Sequence, residues 1–288
     1  MCKTIKLSNG ILNVEIATTG AEILSVKKDG FENIWDADPE IWCGHAPILF
    51  PICGVLKDNK YTFDGKEYEM GMHGFAAESE FLVESATETS ATFLLTANEK
   101  TLSMYPFLFE FRAKYTLDEN KLHVEYITKN TDNKKMYFSV GSHEGYACPE
   151  GIEEYSLVFD TPEDLENSLL TGPLLNHTHD NDFGITDELP LKYHQFDIDT
   201  LIFEKLKTKK VTLKNRNTNR KISVYFDDAD ILCIWTEDKA GFLCIEPWNG
   251  APDFVDTDGH FNFLPIFSFP HGHLHLLLQS DELIEGHA

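Results

Sequence analysis

The sequence predicts an all-β protein, a large antiparallel β-sandwich with only short helical turns. Three observations predict it: side chains alternate apolar and polar along most of the chain, turn residues punctuate these stretches, and no βαβ rhythm occurs. In order, Leu12, Val14 and Ile16 give the first clear period of two, the mark of a half-buried strand. Asp64-Gly65, set between Tyr61-Thr62-Phe63 and Lys66-Glu67-Tyr68, has the chemistry of a tight hairpin. Phe107, Phe109, Phe111, Ala113, Tyr115 and Leu117 form the longest alternating run; Asp118-Glu119-Asn120 turns the chain, and Leu122, Val124 and Tyr126 lead it back. Lys135-Met136-Tyr137-Phe138-Ser139 reads as a further strand, and Asn217-Thr218-Asn219 as the turn before Ile222-Ser223-Val224. Helical signal is confined to about one turn each at 38–42 and 101–105. Between 160 and 193 the pattern gives way to polar residues such as Asn176-His177-Thr178-His179-Asp180, which predicts a long loop. Strand signals spaced by roughly 8 to 12 residues favour a sandwich over a Rossmann fold or TIM barrel, and the lack of a longer repeat disfavours a propeller. One domain spanning 1–288 is expected.

Composition narrows the partners. Of 288 residues 42% are hydrophobic and 12% aromatic, enough for a large core without metal or disulfide staples. Lys and Arg total 24 against 48 Asp and Glu, a formal charge of -24 with the acids dispersed. Such a field repels nucleic acid, anionic membrane and phosphorylated ligands, and a neutral small molecule suits it better. The six cysteines are dispersed among apolar neighbours with no CxxC pair, which reads as buried free thiols. The sequence start has no apolar leader and no run of roughly 18 apolar residues occurs, so the expected compartment is cytoplasmic. A monomer or homodimer is expected.

Three segments depart from routine strand and turn. In Met72-His73-Gly74-Phe75 a histidine meets a glycine just past the hairpin; alone, a turn histidine without a role explains it. In Gly141-Ser142-His143-Glu144-Gly145 small residues flank an imidazole, and alternation puts His143 and Glu144 on opposite faces. In Cys244-Ile245-Glu246-Pro247-Trp248 a carboxylate ends an apolar strand, costly unless paired or used; burial would raise its pKa toward the range of a general base. Trp248 offers an apolar face to a sugar ring, or serves as a core aromatic.

Together and in order these segments resemble the aldose 1-epimerase superfamily, specifically its galactose-mutarotase-like branch that includes the LacX proteins. The resemblance runs from Pro47-Ile48-Leu49-Phe50-Pro51-Ile52-Cys53-Gly54 through His73-Gly74-Phe75-Ala76, Tyr105-Pro106-Phe107, Gly141-Ser142-His143 and Asp199-Thr200-Leu201-Ile202-Phe203 to Cys244-Ile245-Glu246-Pro247-Trp248. It implies a galactose-mutarotase-type β-sandwich that interconverts the anomers of a neutral free hexose such as galactose or glucose. Glu246 matches the general base and His143 the acid that protonates the ring oxygen; His73, Asp199 and Trp248 match sugar-contacting positions, and no cofactor or metal is implied. A histidine among so many carboxylates is expected to favour its cation. Related proteins commonly carry arginine where this chain has Val55 and often where it has Ala77, so contacts to sugar hydroxyls and any phosphate clamp are reduced.

Two other readings stand beside this one. A non-catalytic sugar-binding or sensor protein on the same fold is compatible with the missing arginines. The strand His271-Gly272-His273-Leu274-His275, with His177 and His179, offers imidazoles that could hold a metal in a cupin-like enzyme, against the simpler reading of a solvated edge strand.

Overall fold

The computed structural model describes residues 3–259 and the backbone of the strand His271–Asp281. The paired strands run antiparallel, in sheets of four, nine and six strands with two separate hairpins. The all-β class predicted from the alternation holds. In the nine-stranded sheet, Phe109–Asp118 pairs with Lys121–Asn130 along its whole length, and every second residue of the first strand, from Phe109 to Leu117, is buried. The Asp64-Gly65 turn closes the hairpin of Lys60–Phe63 with Lys66–Glu69, both turn residues at positive φ, 48° and 73°. Helix is limited to Glu99–Met104 and three short 3-10 turns among the described residues, the former started by a capping box at Asn98.

The core lies between the nine-stranded and six-stranded sheets. Phe50, next to Ile48–Leu49 of the smaller sheet, stacks on Phe111 of the larger at 4.4 Å between ring centroids. The six-stranded sheet, ordered Leu201–Phe203, Ile231–Trp235, Phe242–Asn249, Val140–Ser142, Ile48–Leu49 with Glu144–Ala147 also paired to Phe242–Asn249, sorts its side chains by parity. Leu201, Phe203, Leu232, Ile234, Leu243 and Ile245 enter this core, whereas Ile202, Cys233, Trp248 and Leu49 pack on the opposite face. That second face is the floor of the site described below.

Three expectations are corrected. The run 135–139 keeps its alternation, with Met136 and Phe138 buried, but pairing starts only at Val140, because its partner strand Phe242–Asn249 ends at the residue facing it. The segment 160–193 is not a loop: it holds the end of Tyr155–Asp164, the hairpin of Asn167–Thr171 with Leu174–Asp180, and Ile185–Pro190 at the edge of the nine-stranded sheet. Its strands are solvated on most sides, so polar residues fill both parities and the period of two vanishes. The strand His271–Asp281 is interior, between Lys121–Asn130 and Lys221–Tyr225, not an edge. The side chains of His271, His273 and His275 lie outside the described residues. Of the described cysteines, Cys53, Cys148, Cys233 and Cys244 are buried free thiols as expected, and Cys43 is exposed. Among the described residues no helix is long and apolar enough to cross a membrane.

Candidate active site

Strand pairing places the two central residues. Gly141 faces Trp248 and Glu144 faces Ile245, so the same register sets His143, at the break between Val140–Ser142 and Glu144–Ala147, directly across from Glu246. On its other side Glu246 faces Cys233. Parity then turns Glu246 and Trp248 to the floor of a cavity of about 490 Å³, which His143 also lines, while Glu144 points the other way and is fully buried. His143 Nε2 lies 3.4 Å from Glu246 Oε2, a close approach without hydrogen-bond alignment, since that oxygen has no hydrogen-bond partner.

Burial governs the protonation of this pair. Desolvation, and then the nearby Glu144 carboxylate, push Glu246 well above the ordinary carboxylate range, while the Trp248 indole N–H pulls it back. Desolvation, followed by His73, lowers His143 to about 3. This reverses the expectation that the acidic composition would favour a cationic histidine: the charges of this chain sit mostly in water, while His143 is stripped of water by its own surroundings. The Trp42 ring stacks on the His143 ring at 5.1 Å and 27°, and Trp235 meets it edge-on at 5.8 Å. Burial thus favours the neutral form of each group, carboxylic acid and imidazole.

His73 is fixed by backbone. It adopts φ 61°, its amide donates to the Gly54 carbonyl at 2.7 Å, and its Nδ1 accepts from the Gly54 amide at 3.0 Å. Nδ1 being an acceptor, Nε2 carries the proton of the neutral ring, which burial favours by lowering the group to about 4. The following residue must be glycine: a Cβ on Gly74 would lie 2.4 Å from the Phe50 carbonyl oxygen. His73 then stands within 5.6 Å, ring to ring, of both His143 and Trp248.

The cavity thus brings together all five residues singled out from the sequence: Glu246, His143, His73, Asp199 and Trp248. Asp199 sits at the rim with φ 91°, its carboxyl raised by partial burial, ahead of the strand Leu201–Phe203. Trp248 is more hidden than a stacking platform would be, 4% exposed, with its Nε1 donating to the Ser142 carbonyl at 3.2 Å. Val55 and Ala77, the positions at which the resemblance leads to an expectation of arginine, both line the wall. Sequence reasoning missed Trp42, Trp235, Glu78 and Glu237, and missed Leu170 and Pro173, which the supposed loop contributes. Trp235 was within reach, two residues from Cys233 on the same strand face; Trp42 arrives from a turn far along the chain and left no local signal. His177 and His179, named with the C-terminal histidines, have other partners, the Asp256 carboxylate at 2.8 Å and the Ser168 hydroxyl at 3.1 Å. Among the described residues one group of three potential ligands lies close together, His143, Cys244 and Glu246, with candidate ligand atoms within 4.8 Å of one another.

A family model for aldose 1-epimerases matches residues 3–267. The chromosomal LacX protein of Lactococcus lactis subsp. lactis is 36% identical over 262 residues, which cover 86% of this chain and 88% of that protein. Among solved structures, a galactose mutarotase related enzyme from Lactobacillus acidophilus superposes with a TM-score of 0.89 at 32% identity, covering 97% of this chain and 98% of its own. A galactose mutarotase-like protein from Lactobacillus casei reaches 0.91 at 27% identity, covering 97% and 100%.

Proposed function

The chain belongs to the aldose 1-epimerase family, and from that premise we propose that it interconverts the α and β anomers of a free hexopyranose, such as galactose or glucose, by acid–base ring opening and reclosure. The observation that supports this most is the Glu246 and His143 pair, 3.4 Å apart on the floor of an open cavity. In its charged form Glu246 takes the proton of the anomeric hydroxyl while His143 gives one to the ring oxygen. The C1–O5 bond breaks, C1 becomes a carbonyl, and the pair is left as neutral acid and neutral imidazole. After rotation about C1–C2 the O5 hydroxyl adds to the other carbonyl face, His143 takes its proton and Glu246 returns one to O1. The pair carries one proton between its two groups throughout, and bulk water need supply none.

Desolvation has a direct meaning here. The neutral pair favoured by burial is the form that accompanies the open-chain aldehyde, so a dry site lowers the cost of ring opening. The opposite form, carboxylate and imidazolium, is helped by a sugar hydroxyl donating to Glu246 and by the Trp42 face under His143, an effect of about 0.5–2 kcal/mol. His73 Nε2–H is a donor for a ring or hydroxyl oxygen, and Asp199 an acceptor for a hydroxyl at the rim. None of these steps uses a cofactor.

The test is anomer exchange, followed by polarimetry or NMR on freshly dissolved α-D-galactose and α-D-glucose against a buffer blank. The wild type should accelerate exchange, and Glu246→Gln should reduce kcat/KM by at least about 10²-fold. Val55 and Ala77, in place of arginines, favour a second reading, a sugar-binding protein without turnover. Binding that survives in Glu246→Gln, with wild-type exchange no faster than the blank, would decide for it.

A further inference from the structure

The lining of the cavity is one-sided in charge. Glu78, Asp199, Glu237 and Glu246 contribute carboxyl groups, Trp42, Trp235 and Trp248 contribute indoles, and no Lys or Arg is among the described residues that line it. Glu78 and Glu237 are exposed at the mouth, and no Lys or Arg pairs with either of them or with Asp199 among the described residues. Trp42 and Trp235 meet at 5.5 Å in a T-shaped arrangement, forming two walls of a corner beside the reacting pair. Glu246 Oε2 is buried on the floor without a hydrogen bond, so its polar atom is available to a group that enters the cavity. An arginine at position 55 or 77 would have supplied positive charge to this wall; Val55 and Ala77 supply none.

Carboxylates around an indole corner are complementary to one chemical class, an organic cation. An ammonium group gains from the carboxylates and from the electron-rich rings of the half-buried Trp42 and Trp235 beside them, and low-dielectric walls concentrate the field of the rim charges inside the cleft. Resting on the reading of this site as one for a free aldose, we infer that the cavity selects an amino sugar, a hexose bearing a protonated amine, over its neutral parent and against sugars bearing carboxylate or phosphate. The net charge of -24 acts in the same direction at longer range, raising the local concentration of cations and lowering that of anions.

Intrinsic tryptophan fluorescence provides the direct test, because three indoles line the cavity. Titrations with D-glucosamine, D-glucose, N-acetyl-D-glucosamine and D-glucuronate are made at a pH low enough to keep the amine protonated, with anomer exchange recorded by NMR in parallel. Glucosamine is expected to bind about tenfold more tightly than glucose at low salt, with N-acetylglucosamine, uncharged at the same position, losing the advantage and glucuronate binding worst. The advantage should shrink to within about twofold in 0.5 M NaCl. It should also narrow in Glu78→Gln/Glu237→Gln, measured as the ratio of glucosamine to glucose affinity within each protein. Glucosamine binding no more tightly than its N-acetyl form, or an advantage indifferent to both salt and the double substitution, would overturn the inference. Neutral hexose exchange without preference for the amine would sink this inference and leave the epimerase reading standing. A charge-ordered affinity series without any exchange would do the reverse.

Discussion

At the scale of single residues, the protonation of one pair controls the reading of the site. If Glu246 and His143 titrated independently at ordinary values, the acid would be lost above neutrality and the base below about pH 4.5. Burial moves both limits outward, His143 down to about 3 and Glu246 well up, so the pair keeps one proton over a wide interval. The kcat/KM for anomer exchange, corrected for the buffer blank, should therefore stay flat through the pH range in which a free histidine titrates. It should fall on the alkaline side as the pair loses its only proton; a midpoint near 6.5 would contradict a pair titrating as a unit. Glu144, back to back with His143, gives a second pH effect, on stability. Desolvation raises it to about 7, with Ser142 offsetting this only in part, and its charge is felt by Tyr115, Tyr126 and Tyr146. Its folded pKa exceeds its unfolded value, so its contribution is fully present below the ordinary carboxylate pKa and is lost as pH rises through about 7. The loss is on the order of 3 kcal/mol. In Glu144→Gln the decline in unfolding free energy between pH 5 and pH 8, measured by urea denaturation, should be smaller than in the wild type by roughly this amount, the share of the likewise raised Glu246 remaining.

At the scale of elements, legibility in the sequence followed burial. Phe109–Asp118 and Lys121–Asn130 were legible because one face of each meets the core and the other meets water, which writes the period of two directly into the residues. Phe242–Asn249 is buried on both faces, so its sequence betrays a carboxylate out of place and says nothing of which face is core and which is cavity. The hairpin of Asn167–Thr171 with Leu174–Asp180 was invisible for the opposite reason, being mostly solvated. It is nevertheless anchored: Leu175 is 1% exposed, packs with Leu49, Ile202 and Cys233 beneath the cavity, and its backbone bonds residues 253 and 255. Leu175→Ala should cost about 2–5 kcal/mol, and because Leu170 and Pro173 of the same hairpin form a cavity wall, KM for the sugar should rise more than kcat falls. A KM unchanged from the wild type would show that the hairpin has no part in binding.

At the scale of the whole molecule, the fold class and the order of the motifs were legible, while the box around Glu246 and His143 was not. Glu246 and His143 are carried by recognisable segments, but Trp42, Glu78 and the stretch from Trp235 to Glu237 come from separate parts of the chain and meet only when the sheets assemble. No local pattern can report such a meeting. The protonation of His143 was misjudged on the same account, since net charge is a property of the surface and desolvation a property of the interior. The register that sets His143 across from Glu246 also bears on how the chain can change in length. The pairs Gly141 with Trp248 and Glu144 with Ile245 pin both strands on either side of His143 and Glu246. One residue inserted between these pins on either strand would push an imidazole or a carboxylate through the sheet into the aromatic core, whereas the hairpin tips at Asp64-Gly65 and Gly172 have open space around them. Descendants of this sequence can therefore lengthen and shorten at these tips, the second of which adjoins the cavity, while the few positions between the pins keep their count.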